Sequence, residues 1–198
     1  KNINKNKALE MIDKRLLFFK NYKTNKWSNA KLNIDEENPI FLIGFSRSGT
    51  TLLQTILRSH PLIEVIEEEP ILNSFLNSLQ IITNNNFENL KKINESEIRE
   101  LKNLYLSSRN KFINKKNKNT KYIDKDPLNI IHVGEIARVF PNAKFLVSIR
   151  HPYDCVLSCF MQNFILNDIL ANFLNLEDTA NLYDKVMKLW TAYINLLP

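Results

Sequence analysis

The chain has 198 residues, 44% hydrophobic, 10% aromatic and 24% charged, the composition of a globular protein long enough to bury a real core. No apolar stretch approaches the ~20 residues of a membrane span, and the opening KNINKNKALE lacks the apolar segment and small-residue cleavage site of a secretory signal, so a cytoplasmic protein is expected. The net charge of +6 gathers at one end: residues 1–31 carry nine Lys/Arg against two Asp/Glu and the remainder sits at −1, which describes a basic N-terminal segment and no nucleic-acid surface.

In chain order, ALEMIDKRLLFFK (8–20) has helical apolar spacing, and the polar stretch that follows to Pro39 reads as a linker. A basic helix of this kind is expected to be solvated. PIFLIGF (39–45) is a continuous apolar run bounded by turn signals, as in a parallel strand buried on both faces. Leu52, Leu53, Ile56 and Leu57 then recur at helical spacing up to Pro61. A short strand over Ile63 to Ile66, an acidic turn and a helix from about Pro70 follow. The Asn-rich stretch from Thr83 to Thr120 contains one helical pattern (Ile98, Leu101, Leu104, Tyr105) with Asn94 and Glu97 placed as a capping box, and reads as an insertion covering one side of a sheet. From Lys121 the pattern is strand, helix, turn, strand, loop, helix, with KFLVSI as a second strongly buried strand. The last helix has Leu182, Val186, Leu189 and Tyr193 on one face. Alternating strands and helices predict a mostly parallel α/β sheet with ligands at the carboxyl ends of its strands. GFSRSGTT and RHPYDCVLS both leave such ends and are expected to face one crevice.

The stretch GFSRSGTT (44–51) has the glycines of a phosphate cradle ahead of a helix N-terminus. It departs from the nucleotide-binding pattern G-x-x-x-x-G-K-[ST] at one position: Thr50 stands where the lysine belongs, and the loop's long cation is Arg47. Cys155 and Cys159, four apart in an apolar run, lie on one helix face and have no second pair for a zinc site, so they are expected to pack. Glu67, Glu68 and Glu69 form an acidic turn, and Lys125 stands between Asp124 and Asp126.

Taken together in order, GFSRSGTTLL after a buried strand, SHP, the acidic cluster, DKDP, FPNAKFLVSIR and a serine eight residues beyond that arginine resemble the sulfotransferases that use 3′-phosphoadenosine 5′-phosphosulfate (PAPS). The wording is similar to the tyrosylprotein sulfotransferases and to bacterial sulfotransferases preceded by tetratricopeptide repeats, from about Pro39 to the end. The resemblance implies an α/β, P-loop-like parallel sheet flanked by helices, with a C-terminal part of the fold missing. It also implies a basic helix and linker over 1–38, a sulfotransferase domain over 39–198, and tetratricopeptide repeats as a possible upstream partner. Ser48, Gly49, Thr50 and Thr51 would hold the 5′-phosphosulfate and Arg47 would reach the sulfuryl group. Arg150 and Ser158 would hold the 3′-phosphate, and Lys125 would stand near the transferred group. Glu68, twenty-one residues beyond Arg47, would be the base, as a partly buried carboxylate of raised pKa, with Glu67 or Glu69 as the alternative. Ser46 stands where the family usually has proline. Gln162, Asn163 and Trp190 echo the repeat-linked branch and would line the pocket or core. The product would be adenosine 3′,5′-bisphosphate, with no metal taking part.

Two other readings fit parts of the sequence. A P-loop nucleotide kinase or NTPase shares the strand-loop-helix but needs the absent lysine and a strand ending in a magnesium-binding aspartate. A non-catalytic adenosine-bisphosphate-binding protein would keep the cradle without the base. The acceptor class, whether protein tyrosine, glycan or small molecule, is open.

Overall fold

The computed structural model describes residues 2–22, 38–113 and 119–194, so the linker expected before Pro39 lies largely outside the described residues. Four strands, β1 (Ile40–Gly44), β2 (Ile63–Glu67), β3 (Lys121–Lys125) and β4 (Lys144–Ser148), form one parallel sheet in the order β2-β3-β1-β4. Among the described residues seven α-helices surround it: α1 (Lys5–Lys20), α2 (Thr50–Arg58), α3 (Leu72–Ile82), α4 (Glu95–Asn110), α5 (Val133–Val139), α6 (Pro152–Phe160) and α7 (Leu176–Ile194). The fold is the α/β parallel sheet expected from the alternation of elements.

Burial follows from the two-residue period of a strand. Phe41 and Ile43 of β1 face a large core shared with α1, α3, α4, α5 and α7, and Leu42 faces a smaller one beneath α2 with Val65 and Ile123. Both faces of β1 are thus closed, which is why its sequence is a continuous apolar run. The second apolar run behaves differently. KFLVS is not strongly buried, because β4 ends the sheet and its residues run from half-buried to exposed, with Leu146 37% exposed. An apolar run reports the faces a strand covers and carries no information on how many neighbours it has.

Two helices show why they form where they do. α4 opens on a full capping box, with the Asn94 side chain accepting from the Glu97 amide and the Glu97 carboxylate accepting from the Asn94 amide. Its Tyr105 ring lies against Phe41, so the segment covers one face of the sheet. α7 buries Leu182, Val186, Leu189 and Tyr193 completely, together with Trp190. In α2 the apolar spacing is helical but its faces are divided: Leu53 and Leu57 pack beneath the helix while Leu52 and Ile56 are exposed, and the buried positions are the polar Thr50 and Gln54.

α1 is not the solvated tail its charge suggests. It packs along α7 and buries Ala8, Ile12, Arg15, Phe18 and Phe19. The Phe19 ring meets Tyr193 edge-on and lies over Gly134 of α5, where a Cβ would come within 2.3 Å of the ring. The glycine is there because the ring occupies the space of a side chain. Gly134→Ala is therefore expected to lower stability by about 1–3 kcal/mol, the usual cost of overpacking. Denaturant unfolding measures it, and an unchanged midpoint would mean that Phe19 does not hold α1 on α5.

Candidate active site

The loop after β1 leaves the sheet between two strand ends. Gly44 is pressed between Ser48 and β4, with the position of a Cβ 2.6 Å from the Ser148 carbonyl oxygen, so only glycine fits. Arg47 (φ 66°) and Gly49 (φ 99°) adopt left-handed conformations that turn the chain sharply into α2. The loop carbonyls are tied from behind by β4, α6 and the turn that joins them. The Cys159 thiol donates to the Ser46 carbonyl at 3.3 Å, the Arg150 guanidinium to that of Arg47 at 3.4 Å and the Ser148 hydroxyl to that of Ser48 at 2.9 Å. With its carbonyls drawn back, the loop can present its amides forward. The first amides of α2 have no carbonyl within the helix to bond. The Ser48 amide itself is already committed to the Phe45 carbonyl, but its hydroxyl is buried and has no hydrogen-bond partner, as expected of a group kept for a ligand. An anion fits this cradle.

Cys155 and Cys159 are buried, free and packed, as their spacing predicts. Burial pushes the Cys159 thiol up to about 12, which suits a permanent S–H donor to the loop and no nucleophile.

Facing the loop across a cleft of about 630 Å³ is the acidic turn after β2. The β2–β3 register sets Glu67 beside Lys125. Successive residues of β3 point to opposite faces, so Lys125 emerges toward the acidic turn and Asp124 toward α4. Lys125 is almost fully buried, and its ammonium group bonds Glu68 at 2.5 Å and lies 3.5 Å from Glu67. Its partners are these glutamates and not the aspartates that flank it in sequence. Glu67 accepts from Gln54 of α2 at 2.6 Å, and that bond, with help from Lys125 and Arg58 against burial, holds its carboxyl below the usual carboxylate range. Glu68 has a left-handed backbone (φ 51°), fixed by its amide bonding the Lys125 carbonyl at 2.7 Å. Its side chain is 58% exposed, so the partial burial expected of it is absent: a one-residue turn out of the sheet lifts it into the cleft.

The cleft brings together Arg47, Gly49, Thr50, Thr51, Glu68 and Glu69, with Asp126, His132 and Gln162. Arg150 and Ser158 do not line it. They stand on the other flank of the loop, where the Arg47 Nε donates to the Ser158 hydroxyl at 3.1 Å and Arg150, in the turn before α6, lies 3.4 Å from Asp154 of that helix. Arg47 therefore spans the two expected subsites. His151 precedes α6, and its ring meets Tyr153 edge-on. Asn163 borders a small neighbouring pocket and Trp190 lies in the core. Gln54, Asn129 and His132 carry no prominent sequence signal. For Gln54, a polar residue at a buried helical position was the available signal.

These are the geometry and charges of a cleft at the carboxyl ends of a parallel α/β sheet. A family model described as "Sulfotransferase family" matches residues 39–197, and the chain belongs to that family. An uncharacterized protein of Aquifex aeolicus (strain VF5) is 33% identical over 132 residues, 65% of this chain and 17% of that protein. Protein-tyrosine sulfotransferase 1 of Mus musculus is 32% identical over 114 residues, 56% of this chain and 30% of that protein, and the Homo sapiens protein is 31% identical over the same shares. The chain thus spans between a sixth and a third of the length of these relatives. Among the described residues no helix is long and apolar enough to cross a membrane.

Behind Lys125, Asp124 carries an unusual charge state. Burial and the neighbouring Asp126 push its carboxyl up to about 7, against the opposing pull of the Tyr105 hydroxyl and Arg109. The unfolded chain releases this proton near the ordinary value of 3.8 and the folded chain only near 7. Stability contributed by the retained proton is therefore lost as pH rises between those values. Asp124→Asn is expected to flatten the fall in melting temperature between pH 4.5 and pH 8, and parallel pH profiles for the two proteins would refute the assignment.

Proposed function

We propose that the protein transfers the sulfuryl group of PAPS to an acceptor hydroxyl, by in-line displacement with Glu68 as base and without a metal ion. The observation that carries this reading is the meeting, in one cleft, of a carbonyl-retracted loop bearing Arg47 with a carboxylate set on a buried lysine. When bound, PAPS supplies an activated sulfuryl group whose departure leaves adenosine 3′,5′-bisphosphate. The chain's residues supply the rest. The amides of Gly49, Thr50 and Thr51 and the free Ser48 hydroxyl bind the 5′ anion. Arg47 and Lys125 bring positive charge to the place where negative charge grows on the leaving oxygen, the kind of preorganised electrostatics that lowers such barriers by several kcal/mol. Arg150 and Ser158 bind the 3′-phosphate from the other flank, which asks Arg150 to exchange its long contact with Asp154 for a phosphate. Glu68 takes the acceptor's proton as the new O–S bond forms, and its exposure in the cleft gives the acceptor hydroxyl access. Acceptors named by the relatives, protein tyrosines, are one class to test beside glycans and small hydroxyl compounds.

Two measurements test the reading. Calorimetry is expected to give tighter binding of adenosine 3′,5′-bisphosphate than of AMP, with Arg150→Ala losing roughly 1.5–3 kcal/mol, the contribution of a charge-assisted hydrogen bond. Equal affinities for the two nucleotides would defeat the 3′-phosphate assignment. In PAPS-dependent ³⁵S transfer by a full-length protein, Glu68→Gln is expected to lower turnover by roughly 10²–10⁴ and to leave bisphosphate affinity unchanged. Glu69→Gln, whose carboxylate lines the cleft without partnering Lys125, should stay within a few-fold of the parent. A drop in affinity that tracks the drop in turnover for Glu68→Gln would make that residue a prop for the loop.

A further inference from the structure

The acceptor side of the cleft is walled by Pro70, Leu72, Leu76, Leu128 and Phe164, and one ionisable ring stands in this apolar surface: His132, at the end of the 3₁₀ turn Pro127–His132. Its side chain is 16% exposed. Behind it lies a buried ion pair that the sulfotransfer reading does not use. Arg15 of α1 reaches across the core and donates from Nε to a Glu135 oxygen of α5 at 2.8 Å, with Nη2 in ion-pair contact with the same oxygen at 2.7 Å, and both residues are buried. The guanidinium also donates to the Met11 carbonyl at 3.2 Å and lies 5.0 Å from the centre of the Phe87 ring.

The same Nη2 lies 3.2 Å from His132 Nδ1, while the Glu135 oxygen is 3.6 Å from that nitrogen, beyond a good hydrogen bond. A guanidinium has donors only and stays charged. The nitrogen facing it must therefore be a lone pair, which makes the imidazole neutral and leaves its one proton on Nε2. Nε2 has no protein partner among the described residues. The charged groups around the ring are Arg15, Glu135 and Asp126; burial lowers its proton affinity and Arg15 adds to that, against Glu135 and Asp126. A ring held this way cannot take up a proton without turning an N–H toward the guanidinium. It is excluded as a rival base to Glu68, and its one available act is to donate.

We infer that His132 is a specificity-determining residue, an Nε2–H donor locked by Arg15, which selects hydroxyl acceptors that carry a second, hydrogen-bond-accepting oxygen. This rests on the sulfotransfer reading for what occupies the cleft, and the state of the ring does not. It also gives α1 a part in the site, although Arg15 lies outside the segment 39–197 that matches the family.

The test uses the protein with ¹⁵N-labelled histidine and no PAPS, so that absence of sulfotransfer would count against the proposed function and leave this measurement intact. Of the three histidines, His132 is assigned by loss of its signals in His132→Gln. Long-range ¹H–¹⁵N spectra are expected to show a protonated Nε2 and an unprotonated Nδ1, unchanged from pH 8.5 down to 6. An imidazolium at pH 7, or the proton on Nδ1, overturns the inference. In the double variant Arg15→Met, Glu135→Gln, which leaves no lone charge buried, the ring should begin to titrate within that range or exchange tautomers; a ring unchanged there would remove Arg15 from the device. N-acetyltyrosinamide, which brings carbonyl oxygens with its phenol, is expected to move the Nε2 proton downfield and phenol alone to leave it in place. His132→Phe should weaken N-acetyltyrosinamide about tenfold, as loss of one hydrogen bond does, and His132→Gln, with an amide donor of similar reach, should restore it to within about threefold. Equal binding to all three proteins, or no binding at millimolar concentration, refutes the recognition role.

Discussion

The loop between β1 and α2 can meet an anion only because its own carbonyl oxygens are held elsewhere. Three consecutive carbonyls, of Ser46, Arg47 and Ser48, are drawn back by a thiol from α6, a guanidinium from the turn between β4 and α6, and a hydroxyl from β4. That grip requires β4 to pass close behind Gly44, and any larger residue at 44 would push the two apart. The register between β1 and β4, Gly44 beside Ser148, is thus as much a part of the site as the loop. The positions of Arg47, of the Ser158 hydroxyl it bonds and of the start of α2 all follow from it.

A second constraint acts on the opposite wall. A lysine side chain that is 1% exposed would be costly to keep charged alone, and Lys125 finds its compensation in two carboxylates lifted from the end of β2. The acidic turn is therefore divided by geometry. Glu67 is braced by Gln54 and Arg58 from α2, Glu68 leans on Lys125 and stays open to the cleft, and Glu69 borders the cleft with neither tie. Three residues that look alike in the sequence occupy three different environments within a few ångströms.

What could be read in advance was local. The capping box of α4, the apolar stripe of α7 and the doubly buried β1 each depend on residues within one turn or one strand, and they stand where their patterns put them. The cradle was visible too, because its glycines and its displaced cation are contiguous. What lay beyond reach was pairing across the chain. Nothing near Lys125 in sequence points to Glu68, fifty-seven residues away, and nothing near His132 points to Arg15, 117 residues away. The exposure of β4 and the docking of α1 were missed for the same reason. Charge and hydropathy describe a segment, whereas burial depends on which other segments arrive beside it.

The seating of Phe19 over Gly134 bears on where one folding unit begins. Likeness to relatives starts at residue 39, yet the cohesive body of the protein includes α1. Cutting the chain at that border would bare Ile12's contacts, open a ring-sized hollow above α5 and strand Glu135, an acid held at about 2, without the cation that keeps it ionised against burial. Likeness and packing thus draw different borders on this chain: the stretch that matches the family is shorter than the stretch joined in one core.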